Sequence, residues 1–384
     1  MAVRIVFFLR NLQTGGAERQ FLQIIAGLAA RGHEVRLVTR TPGGALSPLL
    51  SPAVPRHVLQ HAPGTRAGRV LELARTPGRL RRLVRELAPD VVYTALYVND
   101  ALAHRALLAH DPPDGTGTPL VWGFRNAAQP LSRLRGMAMD YTRRHAPDVP
   151  LAVFNCRSGE QHLRDRGFRL RRTVVIPNGV DVAAFHPAPE AGRAFRASLG
   201  IPAGAVVVGN VGRLHPMKDH GTFLAAAAVF ARKEPRARFV CLGDGAPGYT
   251  VELRRRADKL GLGERVHWVG TCDDPCSAYN AFDLVASTSV AEGFPNALSE
   301  ALSCERPCVA SDVGDCDQAL GLEGTLVPAG DPRAQAEAWT RLLSRPADER
   351  RARGARARRR IAQELSLERC AQRTEEALSS VIRG

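Results

Sequence analysis

The sequence predicts an α/β protein built as two doubly wound domains, because short apolar strands alternate with helices in two separate series. Three observations carry this. The chain is 384 residues long, enough for two domains at ~100–200 residues each. Residues 3–9 and 205–211 are each a continuous apolar strand that runs into a polar, glycine-containing loop and then a helix. Those two beginnings lie about 200 residues apart and each is followed by a second strand, which implies two sheets rather than one.

Taken in order, residues 3–9 read as a strand buried on both faces, residues 10–15 as its loop and 16–30 as an apolar-periodic helix. Gly32 fits the C′ stop of that helix, and 34–39 is the next strand. Pro177-Asn178-Gly179 is turn chemistry, followed by a proline-containing stretch at 186–189, so the chain is expected to pass between domains within 177–204. The second series has a strand at 205–211, a loop at 212–219, a helix at 221–233 and a strand at 238–242. A strand at 284–288 then leads through a loop to a helix beginning at Pro295 or Asn296, and a polar, charged helix at 366–382 ends the chain. The expected division is 1–180, 181–365 and a terminal helix at 366–384.

Composition narrows the classes. No run of 18 apolar residues occurs, so no membrane-spanning helix is expected, and the apolar start at 1–9 is too short for an export signal. The expected location is cytoplasmic. Eight cysteines at irregular spacing read as reduced, buried small hydrophobes. Cys272/Cys276 and Cys304/Cys308 have spacings that zinc tolerates, but one pair sits beside Asp273 and Asp274 in a loop and the other brackets a helix end and a strand, so no metal is expected. The net charge is +15, and only Lys218, Lys233 and Lys259 are lysine. Phosphorylated substrates, nucleic acid or an anionic membrane surface would suit that charge. With 5% aromatics and no recognition module, nucleic acid is disfavoured, and the densest arginine run, 350–360, reads as a solvated helical face.

Ligands of doubly wound folds sit at the carboxyl ends of the strands, so the strand-end loops are where chemistry belongs. The first, RNLQTGGAER at 10–19, has Gly15 and Gly16 where a helix starts; it is either an anion site or a plain tight turn. It is not a G-x-G-x-x-G pattern, which argues against hydride transfer. The loop at 211–219, VGRLHPMKD, carries Arg213 and Lys218 between a buried strand and a helix, a placement that suits a diphosphate, although two surface cations would look the same. EGFPNALSE at 292–300 puts Glu292 on a loop and Glu300 about one turn into a helix, where the pair suits sugar hydroxyls or acid–base work. The plain alternative is a polar loop with a dipole-favoured acid.

Together these fragments resemble the retaining GT-B glycosyltransferases of glycosyltransferase family 4. The resemblance rests on GGAER at 15–19, IPNGVD at 176–181, GRLHPMK at 212–218, GDG at 243–245 and the E-x7-E signature at 292–300, and it spans the whole chain. It implies two Rossmann-like domains facing across a cleft, with the terminal helix packing back on the N-terminal domain. It implies transfer of a sugar from a nucleotide-diphosphate sugar, a UDP-sugar favoured over a GDP-sugar, to a glycan, lipid-linked or small-molecule acceptor. Arg213 and Lys218 would hold the diphosphate and stabilise the leaving group, Glu292 would contact the donor sugar and Glu300 the ribose. The backbone around Gly212, Phe294, Asn296 and Ala297 would flank sugar and phosphates, and Gly16 would offer an amide to a donor phosphate. No cofactor and no metal is implied, and the donor would belong to the C-terminal domain, the acceptor mainly to the N-terminal one. Contact with an anionic membrane at its cytoplasmic face is a further expectation, carried by Arg75, Arg79, Arg81, Arg82 and Arg85 on a helix of the N-terminal half.

The chain departs from the family where relatives carry histidines: Tyr93, Ala95 and Val98 stand there. Tyr97, Asn99 and Asp100 either reshape that loop toward a ligand, or cap a helix at Asn99 or Asp100 with Tyr97 packed inside. Arg125, on the loop at 122–126, either meets an acceptor anion or is packed or solvated. The competing functions are a GT-B epimerase or phosphorylase, a non-catalytic subunit of glycan assembly, and a basic nucleic-acid binder. Intact Arg213, Lys218, Glu292 and Glu300 favour the transferase.

Overall fold

The structure, a computed structural model, describes residues 2–13, 15–60, 65–109, 117–125 and 133–382. The chain forms two compact units, Met1–Gly179 with Leu367–Gly384, and Val180–Ser366.

The first unit runs β1 (Arg4–Leu9), α1 (Gly16–Ala30), β2 (Glu34–Thr39), β3 (Arg56–Val58), α2 (Arg66–Leu87), β4 (Val91–Ala95), α3 (Tyr97–Leu107), β5 (Leu120–Phe124), α4 (Arg133–Arg144), β6 (Leu151–Phe154), α5 (Arg157–Asp165) and β7 (Thr173–Val175). Its seven strands form a parallel sheet in the order β3-β2-β1-β4-β5-β6-β7. Every residue of β4, β5 and β6 is buried, as helices on both faces require. Phe7, Phe21 and Tyr93 pack ring to ring at 5.3–6.2 Å between the sheet and α1.

The second unit runs α6 (Pro189–Ser198), β8 (Val206–Val211), α7 (His220–Lys233), β9 (Ala237–Leu242), α8 (Pro247–Lys259), β10 (Val266–Gly270), α9 (Pro275–Ala281), β11 (Leu284–Ser287), α10 (Asn296–Ser303), β12 (Cys308–Ser311), α11 (Cys316–Leu320), β13 (Thr325–Val327), α12 (Pro332–Leu343) and α13 (Ala347–Glu364). Six parallel strands lie in the order β10-β9-β8-β11-β12-β13. Trp339 of α12 is fully buried among Phe223, Phe230 and Phe239, and its indole N–H donates to Gln335 at 3.1 Å, so its polar edge is satisfied inside the core.

The arginine run is not the solvated face expected of it. Within α13, Arg358 donates to the carbonyls of Phe185, Ser303 and Val182, Arg353 to that of Glu323, and Arg360 to that of Gln318. Only Arg351, Arg356 and Arg359 of that stretch are exposed. The guanidinium fork satisfies carbonyls at the ends of neighbouring elements that would otherwise be left without donors, a task a hydrated ammonium does less well.

The last helix, α14 (Leu367–Ile382), packs on α1 in the first unit. Cys370, Ala371, Thr374 and Leu378 form its buried stripe, at helical spacing. Gly27 of α1 makes the approach possible, because a Cβ there would stand 2.8 Å from the Ala371 Cβ. At the rim Glu375 takes Arg31 at 2.5 Å and His33 at 3.2 Å, and Arg31 holds its carboxyl below the usual range. Gly27→Val should therefore force the two helices apart, at about 1–3 kcal/mol. The expected readout is a melting temperature lowered by ~3–10 °C, with Gly27→Ala largely rescued by Ala371→Gly. An unchanged melting temperature for Gly27→Val would refute this packing.

Candidate functional site

In the second unit the strand order reverses between β8 and β11, and the loops leaving these neighbours meet at the carboxyl edge of the sheet. After β8 the backbone turns at Gly212, with φ +156, and the Lys218 stem passes 3.4 Å from where a Cβ on Gly212 would stand. His215 accepts the Met217 amide at 3.2 Å and starts a single tight turn at Pro216–Lys218. Asp219 then adopts a left-handed conformation, φ 42, which costs a non-glycine residue roughly 1–3 kcal/mol. The position holds it because the Asp219 carboxylate caps α7, accepting the Thr222 amide at 3.0 Å and hydroxyl at 2.6 Å.

The loop after β9 supports this one from the side. The Leu214 amide donates to the Asp244 carbonyl at 2.9 Å, and Leu214 bridges to Gly245. A Cβ on Gly243 would lie 2.3 Å from the Gly212 oxygen and one on Gly245 would lie 2.2 Å from the Leu214 oxygen, so both positions need glycine. Arg213 is thereby fixed at its backbone while its side chain is exposed, without a hydrogen-bond partner among the described residues.

The loop after β11 is stitched to the β8 loop at several points. The Thr288 hydroxyl donates to the Asp219 carbonyl at 2.9 Å, and the Val290 amide to the Met217 carbonyl at 2.9 Å. Lys218 Nζ and the Ser289 hydroxyl both donate to Glu292 Oε1, at 2.5 and 2.6 Å. The side chains of this pair are 23% and 8% exposed, so the charges meet where water screens them little. Oε2 of Glu292 has no partner among the described residues, and two protons of the Lys218 ammonium are left for other acceptors. From the β12 side Gly314 presses on the Glu292 backbone, since a Cβ there would stand 2.2 Å from the Glu292 carbonyl oxygen, and the Asp315 amide donates to the Gly293 carbonyl at 3.1 Å.

Phe294 is buried and Pro295 is the N-cap of α10, so Asn296 and Ala297 occupy its first turn, where amides point out of the helix. Glu300, one turn on, accepts the Tyr279 hydroxyl at 2.7 Å. Tyr279 is fully buried, and burial followed by the Glu300 charge pushes its hydroxyl well above its usual range, so it remains a donor. Sequence reading did not anticipate Tyr279 or Ser289; each lies outside the E-x7-E segment and is an ordinary residue in its own element. The structure thus brings Lys218 and Glu292 into contact, puts Gly212 and Arg213 on the same loop, and lines Phe294, Asn296, Ala297 and Glu300 along the start of α10. The arrangement offers two cations, outward amides and a carboxylate oxygen to a phosphorylated, hydroxyl-rich ligand.

In the first unit the reversal lies between β1 and β4. Gly16 is the exposed first residue of α1, with Gly15 extended as its N-cap. For the β4 and β5 loops the helix-cap reading is corrected, and of the readings open for Arg125 the packed one holds. Neither Asn99 nor Asp100 caps α3, because the helix starts earlier, at Tyr97, with Leu96 at φ 71. Asn99 instead donates to the Ala95 carbonyl at 3.1 Å, Asp100 is wholly buried against the Thr94 hydroxyl at 2.5 Å, and Tyr97 packs at a tilt against Phe124, ring centroids 5.6 Å apart. Arg125 is packed inward: its guanidinium lies 4.5 Å from the Phe21 ring centroid and donates to Asn178 at 2.7 Å. Asn126 lies outside the described residues.

All eight cysteines are free, and six are buried. Burial pushes the Cys241, Cys304 and Cys308 thiols far up, which keeps them protonated. No helix among the described residues is long and apolar enough to cross a membrane.

Two family models match the chain. One described as Glycosyltransferase Family 4 covers residues 14–184, and one described as Glycosyl transferases group 1 covers residues 205–345. The D-inositol 3-phosphate glycosyltransferase of Kineococcus radiotolerans is 31% identical over 382 residues, spanning 90% of this chain and 86% of that protein. A second such enzyme, from Catenulispora acidiphila, is 30% identical, spanning 86% and 82%. Among solved structures, Anabaena Alr3699/HepE in complex with UDP-glucose is similar at 25% identity and a TM-score of 0.81, over 98% of this chain and 100% of that one. WaaG, a glycosyltransferase involved in lipopolysaccharide biosynthesis, shares the fold at 17% identity and a TM-score of 0.73, over 99% and 100%.

The buried Asp100 makes a pH dependence. Burial pushes its carboxyl up to about 7, against the opposing effect of the Thr94 hydrogen bond. Below about pH 4 folded and unfolded chains both hold this proton. As pH rises toward about 7 the unfolded chain loses it while the folded chain keeps it, so stability falls, and the full loss stands above 7. Asp100→Asn removes that loss. The melting temperature of the variant relative to wild type should rise by several degrees between pH 5 and pH 8. A difference that does not change with pH would contradict this account.

Proposed function

The chain belongs to glycosyltransferase family 4 and is a GT-B, nucleotide-sugar-dependent glycosyltransferase, and on that premise we propose how its second unit holds the donor. Arg213 and the two remaining protons of Lys218 bind the diphosphate, Glu292 Oε2 accepts hydroxyls of the donor sugar, and Glu300, oriented by Tyr279, takes the ribose. Gly212 and the start of α10 at Phe294, Asn296 and Ala297 flank sugar and phosphates with backbone. The observation that carries this reading is the Lys218–Glu292 contact at the strand reversal of the second unit, with the exposed Arg213 on the same loop.

The chemistry that suits these groups is retention. The bond from the anomeric carbon to the diphosphate oxygen breaks, the acceptor oxygen bonds on the same face, and the acceptor proton passes to the departing phosphate. Negative charge grows on the diphosphate as the bond breaks, and Arg213 and Lys218 stabilise it without a metal. UDP is the favoured nucleotide, in keeping with the UDP-glucose complex of the Anabaena neighbour. The relatives named for D-inositol 3-phosphate make a small polyol phosphate the first acceptor to test, ahead of glycan or lipid-linked acceptors, with the first unit supplying most of its site.

The enzyme also works, in this reading, at the cytoplasmic face of an anionic membrane. Leu71, Arg75, Arg82 and Arg85 share an exposed face of α2, apolar at one end and cationic along the rest. Arg79 and Arg81 of that helix turn away, pairing with Glu72 and the Ala106 carbonyl.

Two measurements check these assignments. UDP should raise the melting temperature more than GDP, and Arg213→Ala should keep the wild-type fold while losing the UDP shift and about 10²–10³ in transfer rate. Near-normal turnover by Arg213→Ala would remove the diphosphate assignment, and a larger GDP shift would reverse the choice of base. Separately, the enzyme should sediment with phosphatidylglycerol vesicles and not with phosphatidylcholine ones. The variant Arg75→Glu/Arg82→Glu/Arg85→Glu should lose that binding at ~1 kcal/mol or more per site. Equal sedimentation of wild type and variant would refute the α2 face.

A further inference from the structure

A cluster of titratable side chains in the first unit plays no part in the proposed transfer. It is built from the last turns of α3 and α4 and from the short turn Ala146–Asp148 that leads into β6. α3 leaves the carboxyl end of β4 and runs back along the sheet, so its last turn stands at the amino-terminal edge of the strands, away from the loops at Gly16 and Leu96. There His104 is 2% exposed. Its Nε2 is 3.0 Å from Asp148 Oδ2 and its Nδ1 is 3.0 Å from the Tyr141 hydroxyl. His145 Nδ1 is 2.9 Å from the same Asp148 oxygen, and the two imidazoles lie 4.5 Å apart.

Two imidazole nitrogens and one carboxylate oxygen therefore converge on one point, all within 4.8 Å of one another. In a tetrahedral zinc site with bonds of about 2.0–2.1 Å, neighbouring ligand atoms stand ~3.4 Å apart. The contacts at 2.9 and 3.0 Å need only a few tenths of an ångström of opening to reach that spacing, and Asp148 and His145 are exposed enough to move. From its buried position His104 turns Nε2 toward this point. Its other nitrogen already faces an oxygen, the Tyr141 hydroxyl, as the outer nitrogen of a metal-bound histidine commonly does. The fourth position opens to solvent past His145 and Asp148, whose side chains are 36% and 48% exposed.

We propose that His104, His145 and Asp148 form a binding site for a divalent transition-metal ion of the zinc class, with Tyr141 orienting His104. Two imidazoles and one carboxylate hold the ion, with water as fourth ligand, and His104 then carries its single proton on Nδ1, donated to Tyr141. The ion joins the end of α3 to the turn between α4 and β6, so it stabilises the first unit without entering the reaction. A hard ion such as magnesium, which prefers six oxygens, is poorly served by two imidazoles.

The test uses the full chain, stripped of metal and carrying Cys272→Ser and Cys276→Ser so that the two half-exposed thiols do not bind the probe. Zinc chloride at a hundredfold excess over its Kd should raise the melting temperature by about 5–10 °C, and magnesium chloride should not. His145→Ala should melt where the metal-free parent does, keep its transfer activity and lose the zinc shift. Cobalt should give the intense visible bands of a four-coordinate ion in the parent and not in His145→Ala. No zinc shift in the parent, or an equal shift in His145→Ala, would overturn the site.

Discussion

Parallel neighbours cannot be joined by a hairpin, and this constraint orders everything else in the molecule. Each strand must be followed by a crossover, which covers both faces of the sheet with helices and makes the central strands apolar throughout, as in β4, β5 and β6. Every strand-to-helix loop then falls at one edge, and every helix begins there with its amides outward. Where the strand order reverses, adjacent loops leave toward opposite faces and open a crevice between them. The β8 and β11 loops stand at that place, and the helices that follow them, α7 and α10, start beside it.

Holding cations at such an edge is the harder task, because flexible side chains lose entropy when they are fixed. The second unit fixes the backbone instead. Gly243 and Gly245 let one loop run against another at distances no side chain would permit, and Thr288 and Val290 join the next loop to it. Only then does the Lys218–Glu292 pair form, between groups whose mounts are already set. Charges prepared in this way need little rearrangement when charge develops on a ligand, which is the main source of electrostatic catalysis.

Much of the fold was legible because the signals were local. Apolar runs gave β1 and β8 within a residue, and Gly32 marked the end of α1. The loops bearing Arg213, Lys218 and Glu292 could be located because glycine and proline interrupt the apolar pattern there. What could not be read depended on partners distant in sequence. Helix α6 lies in the stretch taken for a crossing, since its composition is polar and its single fully buried position is Gly192. The arginines of α13 looked like surface charge and Arg125 was open between an anion, packing and solvent, and only the assembled units show the ring and carbonyls they meet. Asp100 is similar: nothing in its neighbours announces that a carboxyl there will be shut away from water.

The return of α14 to α1 has a consequence for how the protein is made. All of Val180–Ser366 is synthesised between the first unit's sheet and the helix that completes its surface. While the ribosome works through those residues, the α1 face around Gly27 and Leu28 has no cover, and the nascent first unit carries an open apolar groove. The second unit, contiguous in the chain, can fold as it emerges, whereas the first must wait for α14 to be made. Order of synthesis and order of completion are therefore reversed, and the exposed groove is what a chaperone would meet in the interval.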